Sequence, residues 1–123
     1  MTCLFCAVPQ ERIITTNERA YAIRDGFPVT PLHTLIIPKR HAVDYFELTK
    51  EELLACDELI KKIQQDIKAE DAMVDGFNIG MNVGLSAGQT VFHCHIHLIP
   101  RRTGDVENPR GGVRHTIPGK GFY

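Results

Sequence analysis

The sequence predicts a single domain in which short strands pack against one long helix. Its 123 residues are enough for one domain with a buried core and no disulfide staples. One stretch repeats apolar residues at a spacing of three and four, as a helix does, whereas several shorter stretches alternate apolar and polar residues, as strands do. We expect the domain to span residues 1–123, with an irregular tail from about residue 102.

The charge and the hydropathy pattern exclude two classes of partner. The formal net charge is -1 and the sequence pI is about 6.6, so we expect neither nucleic acid nor a membrane surface as a partner. No apolar run approaches the roughly 20 residues of a bilayer span, and the first residues lack the layout of a signal peptide. We therefore expect a cytoplasmic protein that acts on small molecules.

Cys3 and Cys6 stand near the start of the chain with the spacing C-x-x-C. In a reducing compartment this pair is a candidate for metal or redox chemistry before a disulfide. The spacing lets two thiolates reach one zinc ion. Taken alone, it leaves three interpretations open: a metal site, a redox pair or two ordinary apolar residues.

The first half of the chain predicts three strands. Residues 13–24 alternate around a turn at Asn17 and Glu18, which predicts two short strands, of which residues 20–24 form the better one. Residues 33–38 predict a largely buried strand closed by Pro38. His33 enters that strand from the loop side, where it either caps the sheet or lines a pocket.

The long helix has a clear start and one apolar face. Thr49 is the predicted N-cap, and Glu52, three residues later, is its partner in a capping box. The residues that follow keep a 3–4 spacing, which predicts a face packed on the sheet. The predicted face consists of Leu53, Cys56, Leu59, Ile60, Ile63 and Ile67.

Residues 77–84 predict a strand whose polar side carries only small and amide side chains. Asparagine and glycine at four successive outward positions weaken a strand, so we expect something to approach this backbone closely. The small-residue loop that follows is short, which makes residues 77–84 and the next strand antiparallel neighbours. Asn82 and Gln89 should therefore lie near the histidines of that next strand.

Three histidines alternate within residues 93–100. In a strand His93, His95 and His97 share one face, and the apolar residues between them share the other. A helix would point these side chains in different directions, so only a strand places all three histidines on one face. One face is expected to be apolar and buried, and the other to carry reactive imidazoles.

This imidazole face predicts phosphoryl or nucleotidyl transfer. A histidine nucleophile must be neutral at its attacking nitrogen, so its other ring nitrogen should donate to an acceptor such as a carbonyl. His95, the central histidine, is the natural nucleophile, and His97 lies close enough to contact a phosphate oxygen or the leaving atom. Backbone amides of residues 88–90 could stabilise an anionic group.

Two other classes of function compete with this one. The three histidines could bind a catalytic metal, although no acidic general base is apparent nearby and Cys3 and Cys6 offer better ligands. The chain could also be a non-catalytic nucleotide-binding or scaffold protein. Only the last would keep its full role after replacement of His95 by alanine.

Residues 87–101 resemble the signature of the histidine triad (HIT) superfamily, and the match extends to Asp25, His33, residues 37–41 and Asn82. The resemblance implies an α+β fold with a five-stranded antiparallel sheet, one long helix and a short one. It also implies a homodimer whose sheets join side by side, and a purine-nucleotide pocket.

The same resemblance assigns roles to the site residues. His95 would attack the α-phosphorus to form a covalent nucleotidyl-histidine, which water then hydrolyses. His97 and Gln89 would act at the phosphate and the leaving group. The remaining contacts would be to the nucleotide: Asp25 at the ribose, Asn82 and Thr90 at the phosphate, and His33 close by.

The substrate stays open, because the resemblance is to two branches. The A-G-Q-T-V and P-R-x-x-G-D segments resemble the fragile-histidine-triad branch, which cleaves dinucleoside polyphosphates such as diadenosine polyphosphates. The compact length and the I-P-K-R-H segment resemble the nucleotide-binding branch, which hydrolyses nucleoside phosphoramidates. The tail lacks tryptophan, unlike the usual ending of the second branch.

The resemblance also favours zinc at the C-x-x-C pair. Bacterial members with this N-terminal pair are similar in holding a structural zinc ion, and the corresponding ligands here are Cys3, Cys6, His41 and His93. Four nitrogen and sulfur ligands leave no open position, so such a site staples the N-terminus to the catalytic strand. We expect structural zinc and no catalytic cofactor.

Overall fold

The computed structural model describes residues 3–123, and the strands within them form one antiparallel sheet. The strands are β1 (Ile13–Thr16), β2 (Ala20–Arg24), β3 (Thr34–Pro38), β4 (Val74–Gly80) and β5 (Ile96–Arg102). Their order across the sheet is β1-β2-β3-β5-β4, and each neighbouring pair is antiparallel. The predicted α+β fold with a five-stranded antiparallel sheet is confirmed.

The long helix α1 spans Lys50–Glu70 and begins as predicted. The Thr49 hydroxyl accepts from the Glu52 amide at 3.1 Å, and the Glu52 carboxylate accepts from the Thr49 amide at 2.9 Å. Within residues 3–123 the expected short helix is represented only by 3-10 segments of three to five residues. No helix of the described chain has both the length and the apolar character to cross a bilayer.

The sheet separates two clusters of buried side chains. On one face, Cys56, Leu59 and Ile63 of α1 pack against apolar residues of the central strands. The opposite face carries a smaller cluster formed by Phe5, Tyr21, Ile23, Leu35 and Ile37. Leu35 pairs with His97 across the sheet, and opposed residues of antiparallel strands share a face. His97 therefore emerges on the face away from α1.

The histidine strand begins later than predicted. Strand β5 starts at Ile96, so His93 and His95 precede it. Both neighbouring ladders stop here, because the pairing with β3 ends at Ile36 opposite Ile96 and the pairing with β4 ends at Gly80 opposite His97. The Cys94 amide instead donates to the Ala42 carbonyl at 2.7 Å. The apolar residues that alternate with the histidines are nevertheless buried as expected, since Cys94 and Ile96 are each at most 4% exposed.

Strand β4 is displaced in the opposite sense, because it covers residues 74–80 instead of 77–84. Asp75 and Gly76, a pair typical of turns, lie inside the strand, where the register shifts between Val74 and Gly76. An Asp-Gly pair here marks a bulge, which also tolerates glycine. Asn82 consequently lies in the loop that follows β4.

Candidate active site

His95 has the tautomer that a nucleophile requires. Its Nδ1 lies 2.8 Å from the backbone carbonyl of His93. A carbonyl can only accept, so Nδ1 carries the proton and Nε2 keeps its lone pair. The predicted donation to a carbonyl is thus present, and the acceptor belongs to the first histidine of the motif.

His97 has the opposite tautomer, fixed by a chain of two hydrogen bonds. The Val29 amide donates to Nδ1 of His33 at 3.1 Å, so the single proton of a neutral His33 is on Nε2. That Nε2–H lies 2.9 Å from Nδ1 of His97 and donates to it. His97 therefore carries its own proton on Nε2.

The Val29 amide reaches His33 through a tight turn. The His33 amide donates back to the Thr30 carbonyl at 3.2 Å, and Leu32 adopts a left-handed backbone with φ of 72°. This region costs an L-residue about 1–2 kcal/mol. The turn thus holds local strain directly beside the histidine that it orients.

Burial keeps both of these histidines neutral. Desolvation lowers the pKa of His33 and of His97 below 6.5, and it outweighs the opposing effect of the Asp25 carboxylate. Asp25 is oriented by the Phe27 amide, which donates to Oδ1 at 2.7 Å, while Oδ2 lies 3.4 Å from Nε2 of His33. His95 and His97 face one another with ring centroids 5.3 Å apart.

Cys3, Cys6, His41 and His93 form a cluster whose ligand atoms all lie within 4.8 Å of one another. Nδ1 of His93 lies 3.4 Å from the Cys3 sulfur and 3.5 Å from the Cys6 sulfur, and Nδ1 of His41 lies 3.3 Å from the latter. A tetrahedral zinc ion with ordinary Zn–N and Zn–S bonds places such atoms about 3.6 Å apart.

The ring of His93 is also prepared to bind a metal. Its Nε2 lies 2.8 Å from the Pro38 carbonyl, so the proton is on Nε2 and the Nδ1 lone pair points at the two thiols. Desolvation lowers the pKa of His93, which favours the neutral ligand form. His93 is fully buried, so it does not belong to the reactive surface that the alternation predicted. The residues present fit a closed zinc site.

A second group, Asp25, His33 and His97, also brings its ligand atoms within 4.8 Å, but it does not fit a metal. Coordination through Nε2 of His33 would move its proton to Nδ1, where the Val29 amide already points a donor. Two N–H groups would then face each other at 3.1 Å. A catalytic metal held by His93, His95 and His97 is disfavoured for another reason, since His93 is fully buried and turns Nδ1 to the two cysteine sulfurs.

The Gln89 side chain forms its hydrogen bonds with backbone groups. It is 2% exposed, and its amide nitrogen donates to the Val43 and Val91 carbonyls at 2.7 and 3.2 Å. Its amide oxygen accepts from Gly84 at 2.9 Å. Contact with a phosphate through the N–H groups would require it to exchange these bonds, so the geometry favours a role in shaping the loop.

The two other predicted phosphate contacts are exposed. Gly80 pairs with His97 at the end of β4, and Asn82 follows two residues later in the loop. Thr90 is exposed at the far end of that loop. Both side chains are thus open to a ligand on the loop that adjoins the histidines.

Phe5 and Val29 are functional neighbours that no sequence pattern indicated. The Phe5 ring packs edge-on against His95 with centroids 4.9 Å apart, and the Val29 amide sets the tautomers described above. The C-x-x-C spacing draws attention to the cysteines and not to the two residues between them. A backbone amide has no sequence signal at all.

The chain is similar to known proteins in family, in sequence and in structure. The model of one family, described as the HIT domain, matches residues 7–104. An uncharacterized HIT-like protein of Saccharolobus solfataricus is 36% identical over 125 aligned positions, which cover 98% of this chain and 89% of that protein.

Two further relatives carry more specific descriptions. A zinc-bound histidine triad family protein from Mycobacterium smegmatis, known from a crystal structure, superposes with a TM-score of 0.76 at 38% identity, covering 85% of this chain and 78% of that one. A bis(5'-adenosyl)-triphosphatase of Dictyostelium discoideum is 38% identical over 101 residues, covering 82% of this chain and 67% of that enzyme.

Proposed function

This chain belongs to the HIT domain family, and we propose that it is a purine nucleotide hydrolase or transferase that acts at the α-phosphate through His95. The observation that carries the proposal is the complementary pair of tautomers. His95 presents a free Nε2 lone pair, and His97 beside it presents an Nε2–H donor. A phosphorus electrophile and one of its oxygens require this combination of nucleophile and donor.

In the first step Nε2 of His95 forms a bond to the α-phosphorus, and the bond from phosphorus to the leaving group breaks. The His95 ring becomes cationic as the new bond forms, so its Nδ1–H bond to the His93 carbonyl, 2.8 Å long, strengthens in the transition state. The Nε2–H of His97 donates to a phosphate oxygen or to the leaving atom. Water then cleaves the nitrogen–phosphorus bond and releases the nucleoside monophosphate.

The substrate is either a dinucleoside polyphosphate or a nucleoside phosphoramidate. The similarity to a bis(5'-adenosyl)-triphosphatase supports the first. Asp25 would contact the ribose with His33 close by, while Asn82 and Thr90 would contact the phosphate. Gln89 would act by holding the loop that carries these residues, through its bonds to Gly84 and Val43.

A structural zinc ion belongs to the proposal. Cys3, Cys6, His41 and His93 would hold it, and the similarity to a zinc-bound relative supports this. A closed site of this kind supplies folding free energy and leaves the reaction to the other side chains.

A homodimer is proposed because of the open edge of the sheet. Among the described residues 3–123, strand β4 pairs only with β5. An unpaired edge strand invites a second strand, and a second copy of this chain offers a matching one.

The decisive experiment compares His95→Ala with the wild type on diadenosine polyphosphates, adenosine phosphoramidate and aminoacyl-adenylate. We expect turnover to be lost while nucleotide affinity stays within about tenfold, because a nucleophile contributes mainly to the transition state. His115→Ala, which removes a tail histidine that belongs to neither cluster, is the matched control.

A second measurement tests the covalent step directly. Acid-labile phosphate on histidine should accumulate in a His97→Ala variant, where breakdown of the intermediate is slowed. Substantial turnover by His95→Ala would rule out the covalent mechanism. Nucleotide binding without turnover of any of these substrates by the wild type would favour the alternative, a non-catalytic nucleotide-binding or scaffold protein.

A further inference from the structure

Phe5 connects the cysteine–histidine cluster to the proposed nucleophile. It lies in the 3-10 segment Leu4–Cys6, between the two cysteines, and is 7% exposed. Its ring packs edge-on against His95, with centroids 4.9 Å apart and an interplanar angle of 65°. It also contacts the ring of His93, at 6.0 Å.

The backbone of Phe5 is held from both sides. Its carbonyl accepts a hydrogen bond from the buried Tyr21 hydroxyl. On either side, the Cys3 and Cys6 sulfurs lie 3.4 and 3.5 Å from Nδ1 of His93. A metal bound by these sulfurs would fix the short turn whose only buried residue is Phe5.

The His95 ring needs such support. Its one hydrogen bond, to the His93 carbonyl, fixes the tautomer, but histidine χ2 is broad and roughly two-fold, so packing must choose the ring orientation. The rings of Phe5 and His97, at 4.9 and 5.3 Å, supply that packing. Without Phe5 the ring could turn and misdirect its lone pair.

We infer that Phe5 is a positioning residue that aims Nε2 of His95, and that the Cys3–Cys6 site controls turnover by holding Phe5 in place. The inference rests on the proposed function and deepens it. The metal site then acts on the reaction through packing, although it takes no part in any bond that forms or breaks.

The first test is a set of substitutions at Phe5. Phe5→Ala should lower kcat by about tenfold to a hundredfold, the scale of a small misplacement of a reacting group, with a smaller change in KM. Phe5→Leu, which keeps an apolar side chain but loses the ring face, should lower kcat less than Phe5→Ala does. Leu4→Ala is the matched control, since Leu4 is its neighbour and is 60% exposed.

The second test needs no turnover. Nitrogen-15 NMR of the His95 ring should change when zinc is removed from the wild type, and should change much less when it is removed from Phe5→Ala. The inference would be overturned by an unchanged kcat in Phe5→Ala, or by His95 ring signals that do not change when zinc is removed from the wild type. A wild type that turns over no nucleotide while its His95 signals respond to zinc would instead count against the proposed function alone.

Discussion

Removing zinc from the site proposed at the cysteine–histidine cluster should lower the melting temperature by up to about 12–25 °C. A metal held by Cys3 and His93 joins residues 90 positions apart. Closing a loop of that length in the unfolded chain is worth about 4–5 kcal/mol in the chain-entropy model, which we take as an upper bound for a metal link. In a domain of this size each kcal/mol moves the melting temperature by about 3–5 °C.

The assay is calorimetry combined with metal analysis. Protein purified without chelator should carry about one zinc per chain, and chelated wild type and Cys6→Ser should melt at similar, lower temperatures. Added zinc should raise the melting temperature of the chelated wild type but not that of Cys6→Ser, which serves as the matched control. The zinc site is refuted if protein that was never exposed to chelator contains no zinc and yet melts cooperatively and turns over nucleotide.

Three further predictions concern pH and assembly. The Arg40 guanidinium hydrogen-bonds Glu52 and lowers its pKa to about 2. About 3 kcal/mol of folding stability that is present above pH 4.5 should therefore be lost as the pH falls towards 2. In Glu52→Gln, which keeps the cap acceptor, the free energy of unfolding should fall less over the same pH range. Because burial lowers the pKa of His97 and His33, NMR titration should show both rings gaining a proton only below pH 6.5, and protonation of either ring at or above that value would contradict the tautomer chain. Sedimentation should show a species of twice 13.8 kDa at micromolar concentration, and a monomer there would exclude the dimer.

The elements that could be predicted from the sequence are those set by local periodicity. The capping box at Thr49 and Glu52 and the 3–4 spacing behind it define α1, because a cap and an amphipathic stripe need only neighbouring residues. Alternation likewise located the strands and the burial of Cys94 and Ile96. Strand ends were less predictable, because they depend on where pairing with a neighbouring strand stops, as β5 starts where its ladders with β3 and β4 end.

The candidate site was predictable in its residue types and not in its hydrogen bonds. Alternation treats His93 and His95 as equivalent, yet the chain buries one beside the thiols and leaves the other with a free nitrogen. The tautomer of His97 depends on the Val29 amide two contacts away, and a backbone group carries no side-chain signal. Such contacts arise from the tertiary fold, so no local pattern can encode them.

The wide separation of the metal ligands also orders events during synthesis. Cys3 and Cys6 leave the ribosome before their partner His93, which follows 90 residues behind Cys3, a delay of roughly 5 to 18 s at ordinary elongation rates. During this interval the two thiols have no enclosed position and are open to oxidants or to other metals. A disulfide formed then would prevent the proposed zinc site from forming, so newly made copies of the protein are the ones most exposed to the redox state of the cell.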